Sequence, residues 1–229
     1  MTPLRLNKAH FPVTVLGPGR RIGIWFQGCS IGCVGCVSQD TWDATGSTNT
    51  TVEAVLGWCM KTQAEHGMGG VTVSGGEPFE QPLALLELLS GLTLWRAAQD
   101  LNFDIICYSG LPLKRLKRDH KDILELLDIL IPEPYVDKSK NAPLWRGSSN
   151  QPLTPLSKRG NEIVNSVPED SAQKRFQLSV TNGQIWFVGM PDRGDMQRLE
   201  TLAVQRGLTL SGASWRQDTN VIPNKRNDA

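Results

Sequence analysis

The sequence has neither a strong net charge nor a long apolar run. Its 229 residues include 24 lysines and arginines against 23 aspartates and glutamates, a formal charge of +1. This balance predicts no broad basic surface for nucleic acid or for an anionic membrane. No window approaches the roughly 18 apolar residues of a membrane span, and the first residues lack an apolar core of signal-peptide length. We therefore expect a cytoplasmic protein with no membrane partner and no nucleic-acid partner.

Cysteine is scarce and unevenly distributed. The chain has five cysteines, and its C-terminal third has none. Three of the five, Cys29, Cys33 and Cys36, fall within one glycine-rich stretch. In a reducing compartment, an odd number of cysteines with three clustered members predicts metal or redox chemistry rather than a disulfide framework.

Strand-like and helix-like segments alternate up to about residue 135. Apolar, β-branched runs predict buried strands at 20–27, at "GVTVSGG" and at "FDIICYSG". A helix is expected to begin at Thr50, which has capping-box spacing to Glu53. This alternation predicts an α/β fold with a mostly parallel sheet. Ligands of such sheets bind beyond the C-terminal ends of the strands, where the cysteine loop, "SGGEP" and "YSG" fall.

The chain changes character after this region. Residues from about 137 to 172 are polar and rich in proline, which predicts a long loop. Asn182 and Gly183 then separate two β-rich runs, which predicts a hairpin, and a short helix is expected to follow. The expected organisation is a core at 1–150 that carries the cysteine loop, a linker or long loop at 151–172, a small α+β appendage at 173–215 and a tail at 216–229.

The cysteine spacing is C-x3-C-x2-C, which allows three thiolates to face one inorganic cluster. A structural zinc site needs four protein ligands, usually as two separate pairs, and no second pair is present. Cys59 and Cys107 fall at apolar positions of predicted elements. Three ligands suit a 4Fe-4S cluster with one iron left open for a small chelating ligand. A zinc site or a passive structural cluster remains the alternative.

The stretch "TVSGGEP" ends the second predicted strand. Gly75 and Gly76 lack a Cβ, so we expect their backbone to approach a small ligand closely. Glu77 offers an acceptor that could pair with an ammonium group. The motif is weak alone, but it follows the cysteine triplet by about 40 residues at the end of another strand, which makes a shared site the better interpretation.

These motifs together resemble the radical S-adenosylmethionine superfamily. More narrowly, "GPGRRIGIWFQGC" and "QDTW" resemble the glycyl-radical enzyme activases, and "CVGC", "YSG" and "RGSSNQ" resemble the branch that activates anaerobic ribonucleotide reductase. The resemblance covers about residues 13 to 151. It implies a partial parallel (βα) barrel of the radical S-adenosylmethionine type, to which this chain adds a small C-terminal hairpin and helix.

The resemblance also implies roles for named residues. Cys29, Cys33 and Cys36 correspond to the cluster ligands. The binding edge for S-adenosylmethionine corresponds to Ser74, Gly75, Gly76 and Glu77, and the next strand end adds two candidates for cofactor contact, Tyr108 and Ser109. Reductive cleavage of the cofactor would give a 5′-deoxyadenosyl radical, which would take a hydrogen atom from a glycine of a partner enzyme. The electron donor would be a protein such as flavodoxin or ferredoxin.

The sequence departs from the activase pattern at two positions. Leu16 stands where the activases usually have aspartate before "GPG", and Val37 stands where they usually have histidine or tyrosine after the third cysteine. In one type of activase these positions lie near the incoming peptide, so the departures leave the identity of the partner open. Arg21 aligns with the activase arginine, and it is expected either to orient a partner or to make a structural ion pair.

Two other functions remain open at this point. A small-substrate radical enzyme resembling 7-carboxy-7-deazaguanine synthase would turn over S-adenosylmethionine without a partner protein. A non-catalytic iron–sulfur redox module would hold a cluster and cleave nothing. A peptide-modifying enzyme with auxiliary clusters is disfavoured, because the C-terminal third of the chain has no cysteine to hold them.

Overall fold

The computed structural model describes residues 1–46, 48–136, 144–167, 176–181, 184–191 and 194–210. The strands in these ranges are β1 (Pro3–Val13), β2 (Arg21–Phe26), β3 (Thr48–Thr51), β4 (Gly70–Gly75), β5 (Asp104–Tyr108), β6 (Ile129–Ile131), β7 (Thr154–Pro155), β8 (Phe176–Thr181) and β9 (Gln184–Gly189). The helices are α1 (Val52–His66), α2 (Pro82–Ala98), α3 (Leu113–Asp119), α4 (Lys121–Leu124), α5 (Lys158–Ser166) and α6 (Asp195–Gln205). The predicted turn residues Asn182 and Gly183 and the predicted tail lie outside the described ranges.

A seven-stranded mixed sheet forms the centre of the molecule, in the order β3-β1-β2-β4-β5-β6-β7. Its four middle strands, β2, β4, β5 and β6, are parallel, and β1, β3 and β7 pair antiparallel at the two sides. The predicted α/β fold with a mostly parallel sheet is confirmed. The C-terminal ends of the parallel strands therefore meet at one edge of the sheet, which determines where a ligand can bind.

The sheet has an apolar core on each face, as strand alternation requires. Ile105 and Cys107 of β5 join the larger core, which α1 and α2 cover. Ile106 and Tyr108 join a second core on the opposite face. That face is covered by Trp145, by apolar side chains of α5 and by Val188 of β9. Because one strand serves both cores, β5 is buried along its whole length.

Three local features differ from the expectations. Strand β1 was not predicted, because its polar and proline-containing sequence has no clean alternation, and its pairing with β2 contains two register shifts. Helix α1 is capped by Thr51, whose side chain accepts a hydrogen bond from Ala54, rather than by Thr50. Within 151–172, expected as a linker or long loop, the structure has β7 and α5, because Ser157 caps the helix through Gly160 and apolar residues of α5 pack on the second core.

The C-terminal elements are a two-stranded antiparallel hairpin, β8-β9, and helix α6. In the part of the chain that the structure describes, no helix has the length and hydropathy to cross a membrane.

Candidate functional site

A cavity of about 750 Å³ opens at the C-terminal ends of β2, β4 and β5. This volume lies within the range of about 300–1,000 Å³ that is common for ligand pockets. All the predicted site residues line it: Cys29, Cys33, Cys36, Ser74, Gly75, Gly76, Glu77, Tyr108 and Ser109. The structure thus brings together residues that lie up to 80 positions apart in the chain, and their individual ligand roles remain predictions.

The cysteine loop follows β2 directly and is fixed by backbone hydrogen bonds at its start. The N–H groups of Gly28 and Cys29 donate to the carbonyls of Thr41 (2.7 Å) and Trp42 (3.1 Å). At the next residue, the backbone N–H and the hydroxyl of Ser30 both donate to one carboxylate oxygen of Glu80, at 2.8 and 2.6 Å. The first residues of the loop are therefore held by both backbone and side-chain hydrogen bonds.

The three thiols of the loop fit a cluster better than a single metal ion. Across the described ranges, no three His, Cys, Asp or Glu side chains are grouped so that they could hold one ion. A 4Fe-4S cluster imposes no such requirement, because each thiolate binds a different iron. All three thiols line the same cavity, and none of the five cysteines forms a disulfide. The donor set and its placement therefore fit a cluster held by three cysteines.

Burial makes these three thiols weaker acids. Burial raises the pKa of Cys29 to about 11, and it also raises the pKa values of Cys33 and Cys36. The Trp42 side chain opposes this effect at Cys36 through a hydrogen bond that favours the thiolate. Iron binding would supply the larger opposing force, because a coordinating thiol is deprotonated by its metal. Without iron, we expect the three groups to be neutral thiols at neutral pH.

The glycine pair also has a structural role that the sequence analysis did not predict. A Cβ on Gly75 would lie 2.5 Å from the backbone nitrogen and oxygen of Phe26, and a Cβ on Gly76 would overlap the carbonyl of Gly28. The N–H groups of Gly76 and Glu77 donate to those same two carbonyls, at 2.9 and 2.8 Å. Both glycines are needed because the end of β4 packs directly against the start of the cysteine loop. The expected approach of this backbone to a ligand stays a prediction.

This packing predicts that Gly76→Ala displaces the cysteine loop. The backbone φ of Gly76 is not in the left-handed region, so the effect is steric: the added methyl group must push away the Gly28 carbonyl. Overpacking of this kind costs about 1–3 kcal/mol of unfolding free energy. We expect urea unfolding to show that loss and the variant to retain less cluster iron. Gly69→Ala is the matched control, because its Cβ would have its nearest neighbour at 3.8 Å. Equal effects of the two substitutions would contradict this account.

Glu77 is fully buried and connects the ends of β4 and β5. Its Oε1 accepts hydrogen bonds from the Phe79 N–H (3.0 Å) and the Ser109 hydroxyl (2.9 Å), and its Oε2 accepts one from the Gly110 N–H (2.7 Å). Burial outweighs these bonds and raises the pKa of Glu77 to about 7. The carboxylate lines the cavity while it organises the two strand ends, so an ammonium group would join an existing network.

The raised pKa of Glu77 makes stability depend on pH. The unfolded chain releases this proton near its usual value of 4.5 and the folded protein near 7, so the folded state binds more protons between these values. The free energy of unfolding contributed by this group is therefore fully present below 4.5 and is lost as pH rises to about 7. We expect the free energy of unfolding of the wild type, minus that of Glu77→Gln, to fall by about 2 to 3 kcal/mol between roughly pH 5 and pH 8. Parallel pH profiles from urea unfolding would contradict this.

Tyr108 and Ser109 contact the site in different ways. The Tyr108 hydroxyl is buried and donates to the carbonyl of Trp145 at 2.7 Å, and burial raises its pKa well above the usual value. Ser109 donates to Glu77 and accepts from the Leu111 N–H at 3.0 Å. Ser109 is therefore a positioning residue for Glu77, and it does not cap helix α3, which begins after Pro112.

Leu16 and Val37 also line the cavity, whereas Arg21 does not. The Arg21 side chain is fully buried and forms a two-point ion pair with Asp104, at 2.6 and 2.9 Å. It also donates to Thr72 at 2.7 Å, and the Thr72 hydroxyl donates to the Leu16 carbonyl at 2.9 Å. Of its two interpretations, the structure shows the ion pair. Arg21 is therefore connected through Thr72 to Leu16, which lines the cavity.

The sequence reasoning missed three polar residues that hold the cysteine loop. Gln27 donates to the carbonyls of Asp40 (2.9 Å) and Asp43 (2.6 Å), and Gln81 donates to the carbonyl of Gln27 (3.1 Å). Glu80 is the third, through Ser30. Glu80 and Gln81 follow "GGEP" after one intervening residue, and this closeness is the one signal that could have identified them. Their partners are set by tertiary contacts that no local pattern specifies.

A last group of cavity residues comes from the C-terminal hairpin and from the segment after α6. Ile185 to Pro191 line the cavity, together with Leu208, Thr209 and Leu210. The predicted appendage is thus part of the cavity wall in the described structure.

Comparison with known proteins agrees with this site. Residues 15–154 match the family described as a 4Fe-4S single cluster domain. Over 142 residues, which are 61% of this chain and 86% of the relative, the sequence is 30% identical to the anaerobic ribonucleoside-triphosphate reductase-activating protein of Enterobacteria phage T4. It is 28% identical to the protein of the same name from Escherichia coli strain K12, over 62% of this chain and 93% of the relative.

A third relative matches a shorter region more closely. The pyruvate formate-lyase-activating enzyme of Clostridium pasteurianum is 40% identical over 87 residues, which are 37% of each chain. The family match spans more than half of this chain and includes the cysteine loop, the glycine pair and the end of β5. The chain therefore belongs to the 4Fe-4S single-cluster family of radical S-adenosylmethionine activases.

Proposed function

We propose that this protein binds a 4Fe-4S cluster and S-adenosylmethionine in the cavity and generates a glycyl radical on a partner enzyme such as an anaerobic ribonucleotide reductase. The observation that carries the proposal is the convergence of the three loop cysteines and the Ser74–Glu77 segment on one cavity at the C-terminal sheet edge. The activase names of the relatives support the glycyl radical as the product.

The cluster would be held by Cys29, Cys33 and Cys36. When bound and reduced, it supplies the electron that cleaves S-adenosylmethionine to methionine and a 5′-deoxyadenosyl radical able to take a hydrogen atom from carbon. The residues of the chain supply position and exclusion of water. Trp42 lines the cavity and contacts Cys36, so we infer that it shields that side of the cluster.

Charge supports a cationic cofactor in this cavity. Among the described lining residues, Lys8 is basic, while Asp40, Glu77 and Glu133 are acidic. Lys8 is itself paired with Asp40 at 3.2 Å. Beyond the Lys8–Asp40 pair, the cavity has Glu133 and Glu77, and the raised pKa of about 7 leaves Glu77 partly ionised at neutral pH. These carboxylates suit the sulfonium and ammonium groups of S-adenosylmethionine, because opposite charges attract more strongly in a partly dehydrated site. We assign the methionine end to the edge formed by Ser74, Gly75, Gly76 and Glu77.

Further parts of the proposal concern the partner and the architecture. We propose a flavodoxin or ferredoxin as electron donor, and a partial barrel formed by the parallel strands of the sheet. The open strand order, with β3 and β7 at the two edges, supports a partial rather than a closed barrel. An open side would admit a loop of a partner enzyme.

We also propose a division of the chain into a core at 1–150, a connecting segment at 151–172, an appendage at 173–215 and a tail at 216–229.

The experiment is an anaerobic assay for 5′-deoxyadenosine. The protein is reconstituted with iron and sulfide, reduced with dithionite and mixed with S-adenosylmethionine, and products are separated by chromatography. We expect 5′-deoxyadenosine from the wild type and none above background from Cys33→Ala. If the candidate partner is added, a glycyl radical should appear in its electron paramagnetic resonance spectrum. A fully loaded and reduced cluster that yields no 5′-deoxyadenosine, with or without partner, would point to a redox module. Stimulation by a small molecule alone would point to a small-substrate enzyme.

A further inference from the structure

The β8-β9 hairpin, together with Leu210 after α6, forms an apolar wall of the cavity, and we propose that this wall selects the substrate. It accepts an apolar side chain next to the glycine from which hydrogen is taken and disfavours a charged one. This inference rests on the proposed function. The residues that we expect to make the selection are Val188, Met190 and Leu210, all of which line the cavity.

Strand β8 of the hairpin is held to the body of the protein by side-chain hydrogen bonds. The side-chain oxygen of Gln177 on β8 accepts hydrogen bonds from the backbone N–H (2.7 Å) and the hydroxyl (3.0 Å) of Thr14, and its amide donates to the Pro12 carbonyl (2.8 Å). All these contacts are made with the end of β1 and the residue after it. A side chain that satisfies two partners in this way fixes the position of the strand that carries it.

Strand β9 is held by the aromatic packing of Trp186. The Trp186 ring lies against His10, with ring centroids 5.0 Å apart in an edge-to-face arrangement, and against Trp25 at 5.8 Å. The Lys8 ammonium lies 4.4 Å from the Trp186 ring centroid. Because Lys8 also pairs with Asp40 next to the cysteine loop, one side chain connects the hairpin to the loop. Val188 completes the contact, since it is 4% exposed within the second core.

The chemistry of this wall differs from that of the rest of the cavity. Val188, Met190 and Leu210 present hydrocarbon and sulfur, whereas the other side presents thiols and carboxylates. Moving an apolar substrate side chain out of water and against such a wall lowers the free energy of binding. A charged one loses hydration without gaining a partner there. The cavity carboxylates would by themselves favour a lysine, so a preference for an apolar residue can be assigned to the wall.

The wall also lies outside the region shared with the family. The family match ends at residue 154, before β8, β9 and Leu210. The matched region carries the cysteines and the glycine pair, and the unmatched region adds the apolar wall. The common chemistry and the selection of the substrate are therefore carried by different segments of this chain.

The test uses two short peptides that each contain a central glycine deuterated at Cα and differ only in the residue before it, valine or lysine. Binding of the fluorescently labelled peptides to the reconstituted protein is measured by anisotropy. Transfer is measured by mass spectrometry in the presence of dithionite and S-adenosylmethionine: one deuterium atom moves from the glycine Cα to the 5′ carbon, which leaves a peptide glycyl radical and labelled 5′-deoxyadenosine. We expect the valine peptide to bind at least about tenfold more tightly than the lysine peptide.

Met190→Glu should abolish or reverse this preference, because it places a carboxylate in the wall. Val180→Glu is the matched control, since Val180 lies on the same hairpin but is 69% exposed and outside the cavity lining. Met190→Ala is a second variant and should weaken binding of the valine peptide without favouring lysine. Equal binding of the two peptides, no binding of either, or an unchanged preference in Met190→Glu would overturn the inference. Absence of 5′-deoxyadenosine with a clear binding preference would instead count against the proposed function alone.

Discussion

Replacing Cys29, Cys33 or Cys36 singly with alanine should reduce bound iron from about four atoms per chain to less than one. This account assigns three cysteine ligands to the cluster, so each removal leaves two of them, which are too few to hold it. The measurement is iron and sulfide content after anaerobic reconstitution and desalting, together with the visible absorption of the cluster. Each variant should also lose formation of 5′-deoxyadenosine.

Cys59→Ala is the matched control for these variants. Cys59 is fully buried on α1 in the larger core, away from the cavity lining, and burial raises its pKa to about 12. The substitution removes a buried sulfur, so it should lower stability while the iron content stays at the wild-type value. Retention of a full cluster by any of the three loop variants, or loss of iron from Cys59→Ala, would contradict the assignment of ligands.

Arg21→Met should destabilise the protein by about 3–5 kcal/mol, because it leaves the buried Asp104 carboxylate without its ion-pair partner. The guanidinium is fully buried and makes five hydrogen bonds, two of them to Asp104 and the others to Thr72, Val71 and Pro18. Urea unfolding measures the loss. The double variant Arg21→Met/Asp104→Leu should recover part of it, since it removes the stranded charge as well.

The control for Arg21 is an ion pair at the surface. Arg118 pairs with Asp119 at 2.6 Å, but its side chain is 72% exposed, so Arg118→Met should change stability by no more than about 0.5 kcal/mol. If Arg21→Met cost as little as Arg118→Met, the buried pair would not have the structural role that its geometry indicates. If it removed activity without any loss of stability, a direct role at the site would have to be considered.

Much of the sheet and the composition of the site could be predicted from local signals. The apolar runs around Ile24 and Ile106 identify buried strands, and the cysteine spacing identifies a cluster site before any contact is known. Motifs at the ends of neighbouring parallel strands must meet at one edge of the sheet, which is why Cys29, Gly76 and Ser109 were correctly expected near one another.

The remaining features depend on contacts between distant segments. Gly75 and Gly76 look like a ligand-binding turn in the sequence, but nothing in the sequence indicates that they pack against Phe26 and Gly28, about 50 residues away. Glu77 looks like a free acceptor, but Ser109 and Gly110 occupy both of its oxygens. No local sequence pattern predicts either set of contacts, because the close approach of two strand ends is a property of the packed sheet.

The C-terminal hairpin shows the same limit on a larger scale. Its alternating residues predict β-structure, but nothing in them indicates that Trp186 packs on His10 and Trp25 or that Met190 lines the cavity. The polar stretch before it was expected as a loop, since α5 has few apolar residues. Those few, Ile163 and Val164 among them, pack on the second core and stabilise the helix.

The most direct test of the central claim is electron–nuclear double resonance on the reduced, reconstituted protein with S-adenosylmethionine labelled with nitrogen-15 at its amino group. The claim is that three cysteines leave one iron open and that the cavity delivers the methionine end of the cofactor to it. The account predicts a nitrogen-15 coupling to the cluster that is absent without the cofactor. A reduced cluster that shows no coupling while the cofactor is bound to the protein would contradict it.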